Sequence, residues 1–274
     1  MMNQNLSMLV IGAHPDEPDI YAGGLAAYMA ERGARVQFLS LTNGRCGHYR
    51  EQGEALIARR REEAEIARRS LGIESYTVLD HPDGELLPSI ELRKQIIRHI
   101  RELQANIVVT FHPEGCAHAD NRYTGMAVQD AASFVARTPN AVPDVPALEE
   151  SPVFLLMPDY SLKASYRPDL AIDIESVLEK KLMAWHAHAS QFYEFAPWQT
   201  GLLDQVPSDD KGKRDFLLKH WGRYVHASEE MMPALADLYS AEAAAHIRYA
   251  ECFEIASYGH RPSHEEWKAW LGLS

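Results

Sequence analysis

Short apolar runs alternate with amphipathic helical patterns from position 8 to about position 192, and few folds accommodate that order. The apolar runs place strands at Met8–Gly12, Arg35–Leu41, Ser75–Asp80, Asn106–Phe111, Pro152–Met157 and Asp169–Ile174. The intervening segments predict helices over Ala22–Arg32, Glu51–Leu71, Ser89–Leu103, Tyr123–Val135 and Glu175–Phe192. Leu92, Ile96, Ile100 and Leu103 share one stripe of the third helix. Arg32-Gly33 and Leu71-Gly72 are stop signals just before strands. Near-continuous apolar strands need cover on both faces. The chain is therefore expected to be α/β, a three-layer parallel sheet with helices on both sides.

Two stretches interrupt this pattern. Arg137–Ser151 carries three prolines and reads as a long connection. Ala196–Asp215 is longer than an ordinary loop, which points to a functional, contact-forming or mobile segment. Beyond it, Phe216–His226 and Met231–Phe253 look helical. Residues 1–195 thus form the main domain. Residues 196–274 are a loop plus a C-terminal helical appendage of that domain, and their helicity suggests a homo-oligomer contact.

Charge narrows the function classes. The formal net charge is −12, so the chain lacks the basic footprint that nucleic acid or an anionic membrane surface demands. No apolar run approaches the ~18 residues of a membrane helix. The first residues, Met1-Met2-Asn3-Gln4-Asn5, lack the basic start of a signal peptide. Three cysteines make no disulfide framework. A cytoplasmic protein with a small-molecule partner is expected.

Ligands of open parallel sheets sit outside the carboxyl ends of the strands. The first strand is followed by Ala13-His14-Pro15-Asp16-Glu17-Pro18-Asp19, and the fourth by His112-Pro113-Glu114-Gly115-Cys116-Ala117-His118-Ala119-Asp120-Asn121. These two clusters should face each other across the switch point. A dinucleotide or phosphate site would need a glycine fingerprint after the first strand, and none is there. An imidazole and three acids within six residues suit a divalent metal instead, zinc or another first-row ion. The plainer alternative is a satisfied histidine beside a solvated acidic turn.

Gly12-Ala13-His14-Pro15-Asp16-Glu17, with Gly23-Gly24 behind it, resembles the Ala-His-Pro-Asp-Asp signature of the PIG-L/LmbE-like N-acetylglucosaminyl deacetylase family. Thr42-Asn43-Gly44, Arg60-Arg61-Glu62-Glu63-Ala64, Asp83-Gly84, the segment Asn106–Asn121 and His188-Ala189-Ser190-Gln191 extend the likeness over roughly residues 6–195. The resemblance implies a Rossmann-like sheet and zinc-dependent removal of N-acyl groups, commonly from amino sugars. By position, it makes His14, Glu17 and Asn121 the metal ligands and Asp16 the general base. His118 would polarise the carbonyl, with Asp120 as an orienting acid.

Two positions depart from the family pattern. Glu17 stands where it has an aspartate, and Asn121 where it has a ligating histidine. An amide oxygen is a harder and weaker ligand than imidazole. Four outcomes follow. Asn121 ligates through oxygen; His118, Cys116 or His112 replaces it; the site takes a harder ion; or the metal is lost. The last would leave a metal-poor relative that binds a sugar-like ligand with little or no turnover.

Arg60 falls on the inward stripe Ile57, Arg60, Ala64, Ala67, Leu71, so its guanidinium needs an anion or a dense set of hydrogen bonds. It serves either as a substrate-hydroxyl contact, as the resemblance suggests, or as a buried tie from helix to loop, with Glu63 as partner. Arg45 and His48 follow the second strand and are expected to rim the substrate pocket. His81-Pro82-Asp83 reads as a proline turn away from the site. His188 reads as a hydrogen-bonded core residue. Tyr21, Tyr160 and Trp198 are candidates for sugar stacking, against plain packing. Pro262 argues against His260 and His264 as a helical metal pair.

Overall fold

The computed structural model describes residues 6–115, 117–158 and 166–273. Cys116 and Tyr160, named above, lie outside the described residues. All six expected strands form: β1 (Ser7–Gly12), β2 (Arg35–Thr42), β3 (Ser75–His81), β4 (Ile107–Phe111), β5 (Val153–Met157) and β6 (Leu170–Asp173). A seventh, β7 (Ala250–Gly259), joins them in a sheet of order β3-β2-β1-β4-β5-β7-β6. Strands β3 to β5 run parallel across β2, β1 and β4, whereas β7 is antiparallel to both neighbours, so the sheet is mixed.

Helices α1 (Glu17–Glu31), α2 (Gly53–Leu71), α3 (Ile90–Leu103), α4 (Ala119–Val135) and α5 (Leu178–Ala187) match the five predicted segments. The last predicted helix is broken, because Glu175–Val177 is a 3-10 turn and Ser190–Phe195 a π-helix. Then follow α6 (Ala196–Thr200), α7 (Asp210–Trp221), α8 (Met232–Leu238), α9 (Ala241–Ala244) and α10 (His264–Leu271). The stretch expected as a loop over 196–215 is therefore helical at both ends.

Strand alternation sorts the core into two layers. Met8 and Val10, Val36 and Phe38, and Val109 and Phe111 face α1, α2 and α5. Leu9 and Ile11, Leu39 and Leu41, and Val108 face α3 and α4, where Leu92, Ile96, Ile100 and Leu103 are all buried as their stripe predicted. A smaller third cluster, around Met231, Leu235 and Cys252, covers the β6–β7 end of the sheet.

The C-terminal segment differs most from expectation. The helix expected over Met231–Phe253 is short helices α8 and α9 followed by strand β7, which is inserted between β5 and β6. A buried ion pair holds it there: Lys181 Nζ lies 2.5 Å from Glu251 Oε1, and both side chains are solvent-free. Glu251 also accepts the N–H groups of Gly24 and Leu25, each at 2.7 Å. Gly24 permits this approach, since a Cβ there would lie 2.7 Å from Ile174 and 2.9 Å from Glu251. A charged residue at a core position mimics a helix surface in a sequence pattern, which is why the strand was not legible.

Candidate active site

Strand β1 pairs with β2 on one side and β4 on the other, so the chain order reverses at its carboxyl end. The His14 loop and the His118 loop meet there, as the sequence predicted. Each residue of the first loop is pinned. Thr42 Oγ1 donates to Ala13 O at 2.8 Å, Ser40 Oγ to His14 O at 3.0 Å, and Arg60 to Pro15 O at 2.7 Å. Asp16 pays for its placement with a strained backbone, φ 148 and ψ −32, and its N–H donates to the Tyr76 hydroxyl at 3.0 Å. Strain of this kind costs of the order of 1–3 kcal/mol and persists only where the surroundings enforce it.

The His14 ring is clamped from both ends. Nδ1 lies 3.1 Å from Glu17 Oε1, while Nε2 lies 2.9 Å from Asp83 Oδ1 and 3.5 Å from Asp120 Oδ2. Burial works against a charge on this ring, but Glu17, Asp120 and Asp83 prevail and hold its pKa well above the usual histidine range. Asp83 is held down to about 2: burial opposes this, and His14, the Cys46 N–H and Arg60 outweigh it. Glu17 Oε2 also accepts the N–H groups of Ala13 and His14, each at 2.8 Å. Its pKa is lowered: burial opposes this, and His14, with hydrogen bonds that include one from Asn121, outweighs it.

Asp16 sits in a different balance. Burial raises its carboxyl to about 6, although Arg60 lies 3.3 Å away and pulls the other way. Arg60 is 2% exposed and donates to Gly44 O at 3.1 Å as well as to Pro15 O. Gly44, at φ +70, leaves room for it, because a Cβ there would stand 2.4 Å from the guanidinium. His118 caps α4. Its Nδ1 accepts the Asp120 N–H at 3.3 Å, which leaves the neutral ring's proton on Nε2. The Asp120 carboxylate accepts the N–H groups of Gly84 at 2.7 Å and Leu86 at 3.3 Å.

His14, Asp16, Glu17, Arg60, Asp83 and His118 all line one cavity of about 350 Å³. Tyr21, Gln191, Phe195 and Gln199 form part of its remaining wall. Such a site, with a few convergent polar groups and apolar sides, suits a small polar ligand. Two observations fit a bound cation. His14, His118 and Asp120 bring ligand atoms within 4.8 Å of one another, and Asn121 Oδ1 is buried without a hydrogen-bond partner.

Comparison with known proteins shows the family of the chain. The family described as PIG-L: GlcNAc-PI de-N-acetylase matches residues 9–132. Diacetylchitobiose deacetylase of Thermococcus kodakarensis is 32% identical over 203 residues, 70% of this chain and 72% of the relative. This chain belongs to the PIG-L family. The probable N-acetyl-alpha-D-glucosaminyl L-malate deacetylase 2 of Bacillus anthracis is 27% identical over 201 residues, 70% of this chain and 84% of that protein. The solved N,N'-diacetylchitobiose deacetylase of Pyrococcus horikoshii has the same fold, with TM-score 0.67 and 24% identity over 91% of this chain and 83% of that one.

Within this PIG-L site, several predicted residues find other partners. Arg45 and His48 are not among the cavity-lining residues. Arg45 pairs with Glu85, and His48 Nε2 lies 2.9 Å from Glu194. Glu63 turns from Arg60 to Arg59 at 3.1 Å and to Ser190 Oγ at 2.6 Å. Trp198 stacks on Tyr49 at 5.0 Å outside the cavity wall, while Tyr21 lines it. His260 and His264 face Glu266 and Asp237 separately. Asp83, read as a turn residue, is a direct neighbour of His14 instead. A second His-Pro-Asp triplet at a strand's carboxyl end was the signal for it. The Gln191 and Phe195 wall depends on the π-helix, which leaves no mark in hydrophobic periodicity.

His188 is fully buried, as predicted, with Nε2 3.0 Å from Asp19 Oδ2. Burial disfavours its charge, but Asp19 outweighs that and raises its pKa above 6.5. The folded state thus binds this proton more tightly than the unfolded chain does. Its stabilisation is complete below pH 6.5 and fades as pH rises through the folded value. The melting-temperature gap between the protein and His188→Asn is expected to be widest below pH 6.5 and to narrow in alkali. A gap that widens with pH would show that His188 is buried neutral.

Proposed function

We propose that this protein is a metal-dependent N-deacetylase that removes an acetyl group from a small amino-sugar substrate. The observation that carries this reading is the convergence of His14, Asp16 and His118 on one cavity at the switch point. The relatives named above, each described as a deacetylase, support it. So does the net charge of −12, which disfavours polyanionic partners.

His14, Glu17 and Asn121 would hold the ion, zinc or another divalent first-row cation. Bound there, it supplies an activated water and a polarised carbonyl. Asp16 takes the proton of the attacking water, and Arg60 keeps its carboxylate aimed. His118 offers its Nε2–H to the carbonyl oxygen as negative charge develops there. Asp16 returns the proton to the leaving amine, and acetate and a free amine depart. Asp83 and Asp120 hold the His14 ring in place, since carboxylates behind a ligating imidazole fix its tautomer and orientation. Arg60 acts mainly as the tie from α2 to the loops after β1 and β2, because it donates to Pro15 O in the first and Gly44 O in the second.

The test is acetate release from N-acetylglucosamine and its β-linked disaccharide, with zinc, manganese or cobalt added to chelator-treated protein. Metal-dependent release supports the reading. No release from any N-acetylated sugar with any ion sinks it.

A further inference from the structure

Resting on the metal-dependent reading above, we propose that Asn121 ligates the ion through its side-chain oxygen, and that this ligand shifts the site from zinc toward manganese.

The argument begins at the two ends of the His14 ring. Asp83 and Asp120 both face Nε2, at 2.9 and 3.5 Å. Two carboxylates face Nε2 and keep its proton, so Nδ1 is the nitrogen an ion would take, in place of the proton that Glu17 faces there. Nδ1 looks at Glu17 Oε1 across 3.1 Å. Two ligands held at about 2.1 Å from one ion stand roughly 3.0–3.5 Å apart, so this gap has the width of a coordination edge.

Asn121 completes the group. Its amide is hydrogen-bonded to Glu17, yet its Oδ1 is buried with no partner. A buried carbonyl oxygen left unpaired is costly, and a cation between Glu17 and Asn121 satisfies it. The two positions at which the chain departs from its family pattern therefore touch. The longer Glu17 reaches the amides of Ala13 and His14 with Oε2 and still presents Oε1.

The rival group is His14, His118 and Asp120. It is less suited to bind. His118 Nδ1 is occupied by the Asp120 N–H, so its neutral ring carries a proton on Nε2. The Asp120 oxygens accept from Gly84 and Leu86, and Oδ2 also faces His14 Nε2, the end of the ring turned away from Glu17. The Asn121 set has one nitrogen and two oxygens, where a histidine would make two nitrogens and one oxygen. Oxygen-rich sets favour manganese relative to zinc, and imidazole favours zinc.

The experiment is titration of metal-free protein with Zn2+ and with Mn2+ against a competing chelator, with the Mn2+ resonance signal as a second readout. Asn121→His is expected to tighten zinc by about 30-fold or more and to change manganese by less than about 3-fold. Asn121→Ala should weaken both ions by about 10-fold or more, and His118→Ala should leave both unchanged. If Asn121→His does not fold, Asn121→Asp is expected to tighten manganese at least as much as zinc. Affinities indifferent to residue 121, or lost with His118, overturn the proposal. Acetate release with residue 121 irrelevant to metal sinks the ligand assignment alone. The expected metal shifts without acetate release from any sugar sink the deacetylase reading alone.

Discussion

Asp16→Asn is expected to lower kcat for N-acetyl hydrolysis by about a thousandfold, with KM and metal content near those of the unaltered protein and a fold that still melts cooperatively. The substitution preserves size and removes the proton acceptor together with the negative charge beside Arg60. Arg60 keeps its bonds to the Gly44 and Pro15 carbonyls, so the loop that carries His14 stays tied to α2. The Asp16 N–H keeps the Tyr76 hydroxyl. Metal content separates this result from loss of the ion, and melting temperature separates it from loss of the fold. A kcat within about tenfold of the original would mean that another group takes the proton. His118 would then be next to test, because it shares the cavity.

Glu251→Ala is expected to destabilise the fold by about 3–5 kcal/mol, because it strands the Lys181 ammonium in a solvent-free site. In a chain of this length that is a fall of roughly 10 °C in melting temperature. The substitution also removes the acceptor of two α1 amides, at Gly24 and Leu25. Lys181 retains the carbonyls of Ile20 at 2.8 Å and Tyr224 at 3.0 Å, which hydrogen-bond the ammonium but leave its charge unpaired. Glu251→Gln keeps an acceptor and is expected to lose less. Thermal denaturation of the three proteins decides the matter. A fall of only a few degrees for Glu251→Ala would mean that β7 is held by its apolar contacts and strand pairing alone.

Much of the site was legible because its members are local in sequence. His14, Asp16 and Glu17 lie close together where the loop after β1 enters α1, and His118, Asp120 and Asn121 where the loop after β4 enters α4. Both loops follow strands whose apolar runs could be read directly. That β1 and β4 are neighbours follows from the general build of open parallel sheets. Arg60 was also legible, since a guanidinium on an apolar stripe must find oxygen partners. Its partners were not: it chose carbonyls at Gly44 and Pro15 and the carboxylate of Asp16, leaving Glu63 to Arg59.

Local periodicity and loop chemistry by themselves determined the first six strands, the helices between them, the inward stripe of α3 and the two polar segments that meet beyond the carboxyl end of β1. These depend on residues a few positions apart, where sterics and burial leave a readable period. The tertiary structure alone decided that Glu251 belongs to a central strand, that Asp83 reaches His14, and that Glu17 meets Asn121. Each of these joins residues distant in sequence, and each buries a charged or polar group whose partner is supplied only by the fold. A buried charge is tolerable only when that partner is in place, so the sequence that specifies the pair reads, position by position, like solvent-exposed surface.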